Sequence, residues 1–294
     1  MTNIDIKLSP PVRPEMLRTV TAPTSLGDVA RPLSIAEKII NNTAVRRGII
    51  ILVIAVVWEG YAQWLQNPLL FPALSQTVIA LWTGFISGEI PSRLLVTLET
   101  LIFGYAIGVA MAGIFATLAV TSRIGTDILS TLTSMLMPLP AIALLPLGLL
   151  WFGLGRPSMI FIMIHSVLWA VALNMHSGFL AVPETLRMAG RTFGLRGVQF
   201  VVKILIPAAM PAILAGLKIG WAFAWRTLIA AELVFGVSSG QGGLGWYIFE
   251  NRNSLDTANV FAGLITVMAV GLIVESVIFR LVEQRTVRRW GMQR

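Results

Sequence analysis

The chain has 294 residues, 56% of them hydrophobic and 12% charged, with a formal net charge of +8. Soluble domains carry about 25% charged residues, so a soluble globular core is excluded as the main body and lipid is the expected solvent. Cysteine is absent, which excludes a disulfide framework, cysteine-ligated zinc and thiol chemistry.

Residues 1–47 are polar and lack a short apolar core followed by a small-residue cleavage site, so they predict a cytoplasmic tail rather than a removable secretory signal. Within this tail Ser34 and Glu37 of SIAEK form a capping-box pattern, predicting a short amphipathic helix that runs to Arg46. A transmembrane domain follows over 48–280. Its six apolar segments lie near 48–65, 94–121, 128–153, 157–178, 210–235 and 257–279. At ~1.5 Å per residue each is long enough to cross about 30 Å of hydrocarbon. Between the first two, Val78, Leu81, Trp82 and Phe85 fall on one face of a helix near 75–87, expected to lie on the outer surface. The third segment holds Pro138, Pro140 and Pro146. Broken helix is tolerated at membrane depth only against protein or water, so this span is expected to line a wet cavity. Residues 281–294 form a basic cytoplasmic C-terminal tail.

Basic residues give the orientation. With the N-terminus inside, the inside segments hold 17 Lys and Arg, whereas the outside segments hold only Arg93, Arg156 and Arg252. This bias predicts both termini in the cytoplasm and removes any need for nucleic acid to explain the positive charge.

The longest inside loop, 179–209, holds nearly all of MAGRTFGLRGVQFVVKILIPAAMP at 188–211. Pro183 suits the first position of a helix and Glu184 its positive end. Leu186, Ala189 or Gly190, and Phe193 make an apolar stripe, with Glu184, Arg187 and Arg191 beside it. Gly194 is placed to stop the helix, a second short helix covers 197–205, and Pro207 and Pro211 mark the entry to the fifth span. From the residues alone, this two-helix elbow is either a docking knob for a cytoplasmic partner or an interfacial helix capping the bundle.

In the fifth span Lys218, Trp221, Trp225 and Glu232 share one helical face, with Arg226 about 100° from Trp225. Charges inside spans usually face an interior. They line a pathway, or else Lys218 snorkels to the cytoplasmic interface and Glu232 pairs inside the bundle. Glu59 and Glu99 lie near outer span ends, where structural roles are expected. His165 and His176 are too far apart for a metal site and should satisfy local hydrogen bonds. The run SSGQGGLG at 238–245 lacks the lysine of a phosphate loop and reads as a flexible outer loop touching an external partner. Trp246 and Tyr247 beside it fit an aromatic belt.

The elbow resembles the EAA signature of permease subunits of ATP-binding-cassette importers. Met188, Ala189 and Gly190 occupy its first three places, Gly194 its glycine, and after nine further residues come Ile204, Leu205, Ile206 and Pro207. Met188 stands where the signature has glutamate, Gly190 where it has its second alanine, and Ile206 where it has leucine. PLPAIALLPLGLLWFGLG at 138–155 and AWRTLIAAELVFGVSSGQGGLGWYI at 224–248 are similar to the nitrate, sulfonate and taurine branch of these permeases. The likeness runs from about residue 55 to the C-terminus.

The resemblance implies an all-α integral-membrane chain of six transmembrane helices, the type I importer (MetI-like) permease fold with a cytoplasmic coupling helix. It implies a bacterial inner-membrane location. The implied partners are a cytoplasmic ATPase dimer that binds ATP–Mg, a periplasmic or extracellular binding protein, and a second permease copy. No cofactor, metal or catalytic residue is implied in this chain. Docking falls to Ala189, Gly190, Phe193 and Gly194, and polar anchoring to Arg187 and Arg191, with Glu184, Met188 and Pro207 in the same coupling motif. The pathway set is Pro138, Pro140, Pro146, Lys218, Trp221, Trp225, Arg226 and Glu232. A small anionic or zwitterionic solute is the expected cargo. The main alternative is an ion-coupled secondary transporter, which predicts paired inverted repeats with matching broken segments. Only the third span here is clearly proline-broken.

Overall fold

A computed structural model describes residues 41–235 and 242–288. The helix expected from Ser34, residues 236–241 with the start of the glycine-rich run, and residues 289–294 therefore lie outside the described residues. The chain divides into two compact units, 1–54 and 55–294. Of the first, the described part is mostly the opening turns of α1 (Thr43–Leu65). No strand occurs among the described residues.

In the second unit, α2 (Leu74–Ile86) turns its large apolar side chains Val78, Trp82 and Phe85 away from the protein and packs through Thr77 and Gly84. Then come α3 (Glu89–Val120), α4 (Arg123–Leu136), a 3-10 turn over Ala141–Leu144, α5 (Leu145–Phe152) and α6 (Arg156–Leu180). The elbow contains α7 (Glu184–Thr192) and α8 (Gly197–Phe200). From α8 a π turn at Val201–Leu205 leads on to Ile206–Ala208. After α9 (Met210–Phe235) and α10 (Leu244–Asn253), α11 (Thr257–Ile273) continues through π turns at Val274–Phe279 and Gln284–Arg288 that flank α12 (Arg280–Glu283). Among the described residues five helices are long and apolar enough to cross a membrane, or six when the bent pair α4–α5 is counted as one.

Helix α6 is the centre of the bundle: 61% of its apolar window is buried, against 44% for α9 and 28% for α3. Lipid offers no hydrophobic gain for helix association, so close packing of small residues holds such helices together. In α3 Gly104, Gly108, Ala112 and Ala116 recur every four residues and are buried. A Cβ on Gly108 would sit 2.8 Å from the Val167 Cβ of α6. On the other side of α6, a Cβ on Gly216 of α9 would sit 2.7 Å from the Asn174 Cβ. Tyr105 crosses from α3 to donate its hydroxyl to Leu217 O at 2.9 Å.

The third span breaks at 137–140, where α4 and the following helix are bent by 87°. Pro138 and Pro140 lie in the break. Pro146 does not: it stands in the first turn of α5, where a missing N–H costs nothing. The expectation that all three prolines break this span is thus corrected for Pro146. The break frees the Leu139 carbonyl, and His165 meets it. The Trp169 indole donates to His165 Nδ1 at 3.1 Å, so the other ring nitrogen carries the proton facing Leu139 O at 3.4 Å. His176 sits 3.2 Å from the Thr126 hydroxyl, so both histidines satisfy local hydrogen bonds as expected.

Candidate functional site: an exposed elbow and a charged groove

Helix α7 is short and amphipathic, and its end is built by the backbone. Gly194 has φ +75°, and the Gly194 and Leu195 amides donate to Arg191 O at 2.9 Å and Gly190 O at 3.1 Å. That paired pattern closes a helix on a left-handed residue. Phe193, just before the glycine, is 83% exposed, and Leu186, Met188 and Val198 are exposed as well. Ala189 is also exposed. The apolar stripe of the elbow therefore faces outward, with nothing among the described residues upon it.

Two expected surface residues are used inside the elbow instead. Gly190 is buried, and a Cβ there would meet Phe200 Cε2 and Ile204 Cγ1 at 2.9 Å. Its smallness lets the elbow's own second helix approach the first, which corrects the expectation that it admits a partner's backbone. Arg187 also turns inward: its guanidinium donates to Phe179 O and Val182 O, capping carbonyls where α6 ends. Arg191 remains at the surface, 3.8 Å from the exposed Glu184, which also lies 3.9 Å from Arg187. Such exposed pairs contribute little. Pro207 lies within the short helical turn Ile206–Ala208, which carries the elbow to the start of α9.

The fifth-span charges divide between two places. Lys218, Trp221, Trp225 and Arg226 line a groove of 410 Å³ closed on the other side by α11 and the turn after it. Lys218 donates to Glu283 of α12 at 2.7 Å. This partner lies 65 residues away, and sequence periodicity along α9 has no signal for it. Trp221 stacks edge-on against Tyr105 at 5.4 Å, and Trp225 is almost fully buried beside Gly271. Arg226 lines a second cavity of 210 Å³ at the proline break, together with Pro140, His165 and Trp169. Pro138 and Pro146 line neither cavity.

Glu232 is not in the groove, contrary to the expectation of a single pathway face. It is 3% exposed and held at the other end of the bundle. The Thr97 hydroxyl donates to its carboxylate at 2.9 Å, and the Gly245 amide donates at 2.8 Å. Thr97 Oγ1 in turn accepts from the Leu244 amide at 2.8 Å. A Cβ on Gly243 would fall 2.2 Å from Glu232 Oε1. Glycine is therefore required here by a buried carboxylate clamp joining α3, α9 and α10, and 242–245 is packed rather than a free loop. Nearby, Arg93 bridges Glu250 at 3.1 Å and Gly242 O at 3.2 Å. Trp246 stacks on Phe249. Arg156 makes a two-point ion pair with Glu99, and Glu59 accepts from the Ser75 amide and hydroxyl. Both carboxylates thus have the structural role expected of them. Among the described residues no three His, Asp or Glu side chains converge as metal ligands do.

Residues 104–288 match the family model described as the inner membrane component of binding-protein-dependent transport systems. The chain is 31% identical to a putative ABC transporter permease protein of Methanocaldococcus jannaschii, over 75% of this chain and 83% of the relative. It is 29% identical to a putative aliphatic sulfonates transport permease protein of Escherichia coli, over 74% and 82% respectively. A taurine transport system permease protein of Escherichia coli is 28% identical over 78% of this chain and 83% of its own length.

Proposed function

The chain belongs to the inner-membrane components of binding-protein-dependent transport systems, within the nitrate, sulfonate and taurine branch, and from that membership we propose how it works. It is a multi-pass inner-membrane permease subunit of an ABC importer, whose family implies an ATPase and a substrate-binding protein as partners. Relatives named as permease proteins support this reading over an ion-coupled secondary transporter.

In our reading both termini and the elbow are cytoplasmic, supported by the bias of basic residues toward that side. Two copies pair around the pathway. The subunit is non-catalytic and holds no cofactor, since ATP–Mg is bound by the ATPase. The cargo is a small anionic or zwitterionic solute, a sulfonate, taurine, nitrate or similar, in keeping with relatives named for aliphatic sulfonates and taurine.

The observation that carries the mechanism is Phe193, 83% exposed at the tip of a helix tied to α6 by the Arg187 carbonyl caps. The ATPase grips the outward stripe of Leu186, Met188, Ala189 and Phe193, with Arg191 beside it. Motion of the elbow passes to α6 through Arg187 and to α9 through the continuous turns 197–208. These two helices pack on one another, and α9 carries the groove. The elbow shifts the bundle between its two states only by contacts that differ between them. Phe193→Ser should abolish ATP-driven uptake and binding-protein-stimulated ATP hydrolysis while leaving permease abundance intact. Undiminished uptake in that variant would remove the docking role.

A further inference from the structure

Charged side chains on the membrane-spanning helices are few, and several of them have a partner. Arg156 has Glu99, Lys218 has Glu283, and Glu232 has Thr97 and the Gly245 amide. Arg226 and Glu275, both exposed on this chain, differ. Among the described residues neither makes a hydrogen bond or ion pair, yet both line the same 410 Å³ groove.

Their depth follows from the register of the two helices. The Lys218–Glu283 pair fixes α9 against the antiparallel helix that returns from α11. Eight residues along α9 from Lys218 is Arg226, and eight residues back from Glu283 is Glu275. At ~1.5 Å per residue both lie about 12 Å deeper than that pair. A separated cation and anion thus share one layer of the groove. Leaving two such charges unpaired at membrane depth is costly, and a solute carrying both signs would relieve both at once. The groove wall is aromatic, with Trp221, Trp225 and Phe279. The Trp221 indole N–H is buried without an acceptor among the described residues.

Resting on the importer reading, we propose that this groove is a transient site for a small zwitterion on its way through the membrane. The oxyanion of the solute meets the Arg226 guanidinium, whose planar fork suits such groups. Its ammonium meets the Glu275 carboxylate beside the tryptophan faces, which favour cations. A simple anion satisfies only Arg226 and leaves Glu275 as a repulsive neighbour.

The test uses the full-length permease, purified with its ATPase in lipid nanodiscs and titrated with taurine, ethanesulfonate and ethylamine, read by groove tryptophan fluorescence. Wild type should bind taurine roughly tenfold tighter than either single-charge probe. Glu275→Gln should remove that preference without weakening ethanesulfonate, whereas Arg226→Gln should weaken both sulfonates. The reversal R226E/E275R should recover taurine binding, which separates charge from folding. Equal binding of taurine and ethanesulfonate, with Glu275→Gln silent, would overturn the proposal. So would single variants that split a permease dimer which the reversal restores, because the groove would then be closed by a second copy. ATP hydrolysis stimulated by the binding protein, measured on wild type in the same nanodiscs, tests the importer reading separately. Stimulated hydrolysis with charge-blind binding removes only the groove assignment, and hydrolysis indifferent to the binding protein removes the reading beneath it.

Discussion

Thr97→Val is the sharpest test of the clamp that holds the end of the bundle opposite the elbow. The two side chains have nearly the same volume, and Thr97 is fully buried, so the change removes a hydroxyl without opening a cavity. That hydroxyl donates to Glu232 and accepts from the Leu244 amide. Its loss deprives a buried carboxylate of one donor, worth about 1.5–3 kcal/mol for a bond to a charged group. It also strands a buried N–H, at a further cost of about 1–3 kcal/mol. The two effects share one network and are not additive, so a net loss of about 2–4 kcal/mol is expected. Thr97→Ser keeps the hydroxyl and should lose only about 1 kcal/mol, for one buried methyl. Reversible denaturant unfolding in mixed micelles measures both, and hydrogen exchange at the 244 and 245 amides locates the change. If the valine and serine variants were equally stable, the clamp would not be a determinant of this fold.

Other perturbations separate the roles within the elbow and the groove. Arg187→Gln should cut ATP-driven uptake by roughly tenfold or more, because one amide cannot cap both the Phe179 and Val182 carbonyls, and Arg187→Lys should rescue it poorly. Gly190→Val should prise the two elbow helices apart against Phe200 and Ile204 and uncouple hydrolysis from uptake. Gly194→Ala meets open space and should cost only the ~1 kcal/mol of a left-handed non-glycine residue. Comparable uptake in the two variants would contradict that internal packing. Lys218→Met and Glu283→Gln should be non-additive, with a coupling of about 1 kcal/mol for a partly exposed pair. A double-mutant cycle in unfolding free energy reads that coupling.

How far the residues can be read before folding depends on the range of the forces involved. Span number and position follow from apolar length, which is local: the segments predicted near 94–121, 157–178 and 210–235 appear as α3, α6 and α9. The break in the third span and the stop at Gly194 are also local, since proline and a left-handed glycine act on their own backbone. The elbow's outward stripe was legible for the same reason.

What the residues could not show is which groups meet across helices. Lys218 and Glu232 share a helical face, but fourteen residues at ~1.5 Å each place them about 21 Å apart. One therefore pairs with Glu283 and the other with Thr97 in the clamp. Gly190 and Arg187 looked like surface chemistry until Phe200 and the end of α6 were folded against them. Glu275 carried no motif at all, and its place opposite Arg226 arises only from antiparallel register. By itself the sequence determined the number of spans, the bias in their orientation and the spacing of the elbow, because those depend on runs of neighbouring residues. Only the tertiary structure decided the partner of each buried charge, because that depends on helix packing between positions that lie 65 and 135 residues apart along the chain.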